Sequence, residues 1–291
     1  MAICMLVAAA AGCGGDGSGP PTATVTAPVA RPAVCGRLSA RVTGRLSTPA
    51  ATELSGLALS HMQPQVLWTH NDSGEPARIL AVRRDGTLLA AVTVSGAQNE
   101  DWEDIAVAGD TIYIADIGDN LARRPSIAVY RVAEPRIPAT TTAPATRLSL
   151  RYPGGPRDAE ALLVDPAGQE LVIVTKSLSG KAEIYAAGIG ASKLRRGGAI
   201  ALGAGEAVTA ASLSGDGATI VLRTYDRAYA WRRDRSESIA TALKRHPCTA
   251  RVNLLREGQG EAIALSPDGR TFYTVPEGRA PMIRRYRAAG R

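Results

Sequence analysis

Glu53–Ser60 reads ELSGLALS, Glu100–Val107 reads EDWEDIAV, Arg157–Asp165 reads RDAEALLVD, Ala207–Gly217 reads AVTAASLSGDG and Gly260–Gly269 reads GEAIALSPDG. These five phrases share a polar lead and then a short run of small apolar residues. Each is followed by a second apolar run: VLWTHNDSG from Val66, TIYIADIGDN from Thr111, ELVIVTKS from Glu170, TIVLRTYD from Thr219 and TFYTVPEG from Thr271. A third run then closes each unit: RILAVRRDG, SIAVYRV, KAEIYAAG, AYAWRRD and PMIRRYR. With Glu53, Glu103, Glu160, Thr209 and Glu261 taken as equivalent, the intervals are 50, 57, 49 and 52 residues. Apolar runs of four to seven residues, separated by pairs such as Asp85-Gly86, Gly109-Asp110, Asp216-Gly217 and Asp268-Gly269, are strands joined by tight turns. A period near 50 residues with about four strands per unit is the signature of propeller blades.

The spacing therefore predicts an all-β fold, a β-propeller of five four-stranded blades. A sixth blade concealed between Ser236 and Cys248 is the alternative; otherwise Ser236–Lys244 reads as a helical insertion in the fourth unit. The last unit stops after its third strand, and a spare strand, Arg37–Leu46, precedes the first unit. An unpaired edge is a liability, so this strand is expected to complete the fifth blade and close the ring. The outer strand of the fourth blade is expected at Ala250–Leu255. Cys35 and Cys248 then precede neighbouring outer strands and are expected to form a disulfide that pins the closure. His246 lies near Cys248, but two such residues do not make a zinc site.

The first residues are of another character. Ala2–Gly12 is small and apolar, too short to span a bilayer, and ends in Ala10-Ala11-Gly12-Cys13. This resembles the lipobox of bacterial lipoproteins, which implies a signal segment over residues 1–13 and lipidation at Cys13, with Cys4 leaving in the signal. Residues 14–34 are dominated by Gly, Pro, Thr and Ala and read as a flexible tether. The propeller is expected over 35–291, in a monomer exported to the outer face of the membrane or secreted. The net charge is +7, yet only four of the 34 basic residues are Lys and the Arg are scattered along the chain. No basic run is interleaved with aromatics, which argues against a nucleic-acid partner.

In a propeller, the loop leading into the innermost strand and the loop between the second and third strands open on one face. On that plan the leading loops bring Glu53, Asp101, Glu103, Asp104, Asp158, Glu160 and Glu261 to one mouth. The second loops bring Asn71, Asp72, Ser73, Asp116, Asp119, Asn120, Lys176, Asp226 and Glu277. Between Gln98 and Asn120 there are seven acids and no base. Carboxylates gathered in one low-dielectric site either hold protons or bind a cation. Oxygen ligands without His or Cys suit Ca²⁺ or Mg²⁺, with Asp101, Glu103, Asp104, Asp116 and Glu160 as the ligand set. For Glu53, Glu160 and Glu261 an equal reading is acceptance of backbone hydrogen bonds from the next blade. His70 reads as a general base or as a loop histidine bonded to a blade edge. Trp102 reads as a ligand platform or as packing between blades. Ser73 lacks the nucleophile-elbow context of a hydrolase triad.

The phrases ELSGLALS, LWTHNDSG, DWEDIAV, IYIADIGDN and EAIALSPDG resemble those of secreted bacterial β-propellers, namely the phytase-like esterase, SdiA-regulated, lactonase and strictosidine-synthase-like groups. The resemblance implies a divalent cation, commonly Ca²⁺, in the channel, and in some members ester or phosphoester hydrolysis. For a phosphate-binding set it leaves only Lys176 and Arg157. Three functions follow as expectations: a propeller that binds a small molecule or envelope partner at a Ca²⁺-occupied acidic mouth; a Ca²⁺-dependent hydrolase of an ester, lactone or phosphoester with Glu103 or His70 as base; and a structural envelope protein.

Overall fold

The computed structural model describes residues 30–138, 141–165 and 170–290. Cys13 and the expected signal segment lie outside the described residues, as does the expected tether up to residue 29. From Pro32 onward the chain is part of the domain: Ala33–Cys35 forms a single 3₁₀ turn, and Val34 is fully buried.

Among the described residues twenty strands follow, antiparallel and up-and-down within each blade. The first, β1 (Leu38–Arg45), stands apart from its neighbours in sequence. Blade 1 is β2 (Leu54–Leu59), β3 (Val66–Asn71), β4 (Arg78–Arg83) and β5 (Leu88–Ser95). Blade 2 is β6 (Trp102–Ala108), β7 (Thr111–Asp116), β8 (Ile127–Ala133) and β9 (Thr142–Leu150). Blade 3 is β10 (Ala159–Val164), β11 (Glu170–Thr175), β12 (Lys181–Gly188) and β13 (Arg195–Ala201). Blade 4 is β14 (Val208–Leu213), β15 (Thr219–Thr224), β16 (Ala228–Arg232) and β17 (Cys248–Thr249). Blade 5 is β18 (Gly260–Leu265), β19 (Thr271–Pro276) and β20 (Met282–Ala288), and β1 supplies its outer strand by pairing antiparallel with β20, Leu38 opposite Ala288. The ring of five blades is thus closed by the N-terminal strand, as the repeat predicts.

The outer strand of the fourth blade differs from expectation. It is only Cys248–Thr249, and Ala250–Leu255 leaves the sheet, passing into a 3₁₀ turn at Leu255–Glu257. The disulfide joins Cys35 to Cys248 across 213 residues, with a Cα–Cα distance of 6.0 Å. It ties β17 to the segment that leads into β1, and so does at this edge what a longer strand would have done. The insertion holds one short helix, α1 (Ile239–Leu243), capped by the Ser238 hydroxyl on the Thr241 N–H, and no sixth blade. A pairing the repeat did not show joins the outer strands of blades 1 and 2 in parallel, Thr93–Ser95 against Thr142–Pro144.

Five apolar cores lie between adjacent blades. Trp68 and Ile79 of blade 1 meet Trp102 and Ile114 of blade 2; Val129 meets Leu162 and Ile173; Val174 meets Leu222 and Trp231; Val221 meets Ile263 and Phe272; and Val275 meets Leu54 and Leu67. Each blade is therefore buried on both faces, which explains why its inner strands read as continuous apolar runs rather than alternating ones. The five innermost strands, β2, β6, β10, β14 and β18, surround the central channel.

Candidate functional site at the propeller mouth

Each innermost strand carries an irregularity at the same place. The register of the first strand pair slips at Gly56, Glu103, Glu160, Thr209 and Glu261, one residue in each blade. A β-bulge leaves one residue unpaired and re-aims its side chain. Here it forms a repeated ring of positions occupied by Glu in blades 2, 3 and 5, Thr in blade 4 and Gly in blade 1. The blade 1 equivalent is thus Gly56, not Glu53, which lies three residues earlier and is exposed. Gly56 has φ +70°, and a Cβ there would lie 2.7 Å from His70 Nε2 and 2.9 Å from the Asp104 Cα. Only glycine suits that backbone and that space.

Below this ring the channel is closed by Asp104. Its carboxylate accepts the N–H groups of Ile105 (2.9 Å), Leu162 (2.8 Å) and Ala211 (3.2 Å), tying the inner strands of blades 2, 3 and 4 together. Ser55 Oγ donates to the Glu103 carbonyl and Thr209 Oγ1 to the Gly260 carbonyl, linking further pairs of blades. The mouth is a pit with a hydrogen-bonded floor. Asp104, expected among the cation ligands, is part of that floor.

Above the floor, one ligand atom from each of Asp72, Asp101 and Glu103 lies within 4.8 Å of the others. Asp72 comes from the β3–β4 loop of blade 1, where its N–H donates to the Glu53 carbonyl and its carboxylate accepts the Ser73 N–H. Asn99 fixes this loop to blade 2 by donating to the carbonyls of Asn71 and Asp72. Gly118, in the Ile117-Gly118-Asp119-Asn120 stretch, sits directly against the acids. A Cβ at that position would fall 2.1 Å from Glu103 Oε1 and 2.5 Å from the Asp101 Cγ.

The acids act on one another. Burial, reinforced by Asp72, pushes Asp101 up to about 6. Burial, with Glu160, Asp72 and Asp101 nearby, pushes Glu103 well above the usual carboxylate range. Burial also raises Asp72, with Glu261 and Glu53 adding to it. On the other side of the mouth Glu160 pairs with Lys176 but is still pushed up to about 8 by burial. Lys176 sits 5.8 Å from the centre of the Tyr225 ring, and Glu160 beside it holds its ammonium firmly protonated against the opposing effect of burial. Gln259 Nε2 donates to Glu261 at 3.0 Å. Burial, then Glu261 and Glu53, raise Glu277 to about 7.

Other candidate residues serve the frame of the mouth. Asn71 is occupied by the Thr52 N–H and the Ala50 carbonyl. Asp116 pairs with Arg124 at 2.8 Å and accepts the Asp101 N–H. Asp119 accepts the N–H groups of Arg123 and Arg124, and its own N–H donates to Asp158. Arg157 pairs with Glu183 at 2.8 Å. Ser73, Asn120 and Asp226 are exposed. His70 is fully buried, its Nδ1 3.0 Å from the Asn71 carbonyl and its ring edge-on to Trp102 at 5.5 Å. Burial lowers it to about 4. Trp102 is itself fully buried and donates to the Gln98 carbonyl, so both aromatic groups lie between the blades rather than facing the mouth.

The chain matches no family model and no curated protein. Among solved structures it is similar to hydrazine synthase from Kuenenia stuttgartiensis, at 15% identity over 79% of this chain, with a TM-score of 0.43. It is also similar to a "putative 6-phosphogluconolactonase" from Bacteroides uniformis, at 17% identity over 84% of this chain and 74% of that one, with a TM-score of 0.44. The chain spans 56% of the hydrazine synthase chain. At such identities nothing about the site carries across, and it is read from this chain's own residues. Those residues make the chain a five-bladed β-propeller with an acidic, closed-floored mouth.

Proposed function

We propose that the mouth binds a hard divalent cation, of the Ca²⁺ class, and that the bound cation presents a small molecule or envelope partner to an exported propeller anchored by lipid at Cys13. The observation that carries this reading is the meeting of Asp72, Asp101 and Glu103 within 4.8 Å, with Glu103 buried. Three carboxylates so close cannot all be charged without a counter-ion. Their all-oxygen chemistry suits Ca²⁺ or Mg²⁺. The two cations that act on these acids are already engaged, Lys176 by Glu160 and Arg124 by Asp116 and Glu100. The disulfide accords with an oxidising compartment.

The test is a thermal melt of the protein in EDTA, Ca²⁺ and Mg²⁺. A ligand that binds only the native state raises the midpoint by mass action. The expected result is a rise with Ca²⁺ that is lost in Asp101→Asn/Glu103→Gln. Equal midpoints in all three solutions would sink the cation site.

A hydrolytic reading draws on one observation: Glu103 is a buried carboxyl group held well above its ordinary pKa in an open mouth. Once deprotonated, such a group is a stronger base than an ordinary carboxylate and is suited to take a proton from water. A screen of p-nitrophenyl acetate, a γ-lactone and p-nitrophenyl phosphate with added Ca²⁺ distinguishes this from binding alone. Turnover that disappears in Glu103→Gln would favour the enzyme.

A further inference from the structure

The arginines that look scattered in sequence are gathered by the fold. Three clefts, of about 530, 290 and 490 Å³, run in succession around blades 4 and 5. The first and second share Arg232 and Arg245; the second and third share Arg31 and Pro32. Arg31, Arg37, Arg232, Arg251 and Arg270 line this band, and none has a carboxylate partner among the described residues. Of the two acids in the clefts, Glu237 is taken by Arg245, while Asp234, which accepts the Ser236 N–H and hydroxyl, acts on Arg232 and offsets one of these five charges. Like charges left unneutralised on one surface favour an anionic partner.

Strand direction places the band. β18 starts at the mouth, next to Glu261, and runs away from it, so the turn bearing Arg270 lies at the opposite end of the propeller. β20 ends there at Ala288, which puts Leu38, and Arg37 before it, at the same end. β16 likewise starts beside Tyr225 at the mouth and finishes at Arg232. The described chain begins inside this band, at Ala30, which lines the second cleft. Only sixteen residues separate Ala30 from Cys13, a reach of at most about 60 Å fully extended.

We infer that this band is a docking surface for an anionic phospholipid membrane, its arginines meeting lipid phosphates while the acidic mouth faces away. The charge is of the right sign and lies at the end of the domain where the chain leads toward Cys13. It also lacks the exposed aromatic side chains a single-strand nucleic-acid platform would need, since Trp231 is buried. The surface stands apart from the cation site: either can fail in its own assay without affecting the other.

The test is flotation of the full chain with vesicles of phosphatidylcholine alone and of equimolar phosphatidylglycerol and phosphatidylcholine. The ratio between the two vesicle types, rather than binding to either, reports the band. Expected is a strong preference for the anionic vesicles that falls with added salt. At about 1 kcal/mol for each basic residue near such a surface, Arg31→Gln/Arg37→Gln/Arg251→Gln should cut that preference on the order of a hundredfold. All three positions are exposed, so the melting midpoint should be unchanged. Equal flotation with both vesicle types, an unaltered preference in the triple variant, or tighter binding to duplex DNA than to anionic vesicles would overturn the inference.

Discussion

Gly118 is the residue on which the cation site turns. It has no side chain because that space belongs to carboxylates: the nearest atoms to a Cβ would be Glu103 Oε1 at 2.1 Å and the Asp101 Cγ at 2.5 Å. In Gly118→Ala one methyl group must displace both acids. Overpacking of this kind costs about 1–3 kcal/mol. The expected outcome is a folded protein whose melt no longer responds to Ca²⁺, checked by melts with and without the ion. Asp104 makes the opposite case, an acid whose work is structural. Asp104→Ala leaves the N–H groups of Ile105, Leu162 and Ala211 without their acceptor. A buried donor left unsatisfied costs about 1–3 kcal/mol, so the loss should exceed about 3 kcal/mol. Asp104→Asn keeps one acceptor oxygen and should fall between. Urea midpoints of the three proteins check this order, and a wild-type midpoint for Asp104→Ala would refute the floor.

At the scale of strands and blades, the period, the polar leads and the spare N-terminal strand made the ring and its closure legible in the sequence. The site was legible in part. Composition pointed to an acidic mouth, but glutamate identity suggested Glu53 as the first member of the series. The bulge register assigns that place to Gly56. A residue-type match cannot see a bulge, whereas the Ser55-Gly56-Leu57-Ala58 alignment with Trp102-Glu103-Asp104-Ile105 would have found it. His70 read as a general base or a loop histidine at a blade edge; it lies within β3, whose pairing turns it inward onto Trp102. The parallel contact of β5 with β9 had no local signal, since it joins segments from different blades. The short β17 was also concealed, because the disulfide substitutes for strand length at that edge. That substitution is testable. Cross-linking residues 213 apart removes much of the unfolded chain's freedom, worth on the order of 3–5 kcal/mol in the chain-entropy account. Cys35→Ala/Cys248→Ala should lower the urea midpoint accordingly and make the segment before β1 the first site of proteolytic cleavage. A midpoint within error of the wild type would show that β1 holds by sheet pairing alone.

For the whole molecule, the decisive property is the separation of charge. The protein is net positive, yet many of its acids meet at one mouth, where burial, and after it their neighbours' charges, raises their affinity for protons. This has a consequence for stability of definite sign. Asp101, Glu277 and Glu160 release protons at about 6, 7 and 8 in the folded protein, against ordinary values of 3.8, 4.5 and 4.5. Across that interval the folded state holds protons that the unfolded chain has already lost. Stability changes with pH in proportion to protons bound unfolded minus protons bound folded; that difference is negative here, so stability falls as pH rises. In EDTA the melting midpoint should therefore decline toward pH 8, with the contribution of each acid lost once pH passes its folded value; below about pH 6.5 the decline is shallower, because the unfolded chain also protonates His70, which burial lowers to about 4 in the folded protein. A divalent cation seated on Asp72, Asp101 and Glu103 supplies the positive charge that the protons otherwise provide. Saturating Ca²⁺ should flatten the decline, raising the midpoint little near pH 5 and most near pH 8, because carboxylates bind the ion only once deprotonated. Melts across this range with EDTA and with Ca²⁺ measure both effects. Parallel curves would mean that the ion binds elsewhere, and a flat curve in EDTA would mean that the acids of the mouth are relieved by the protein's own donors and need no ion at all.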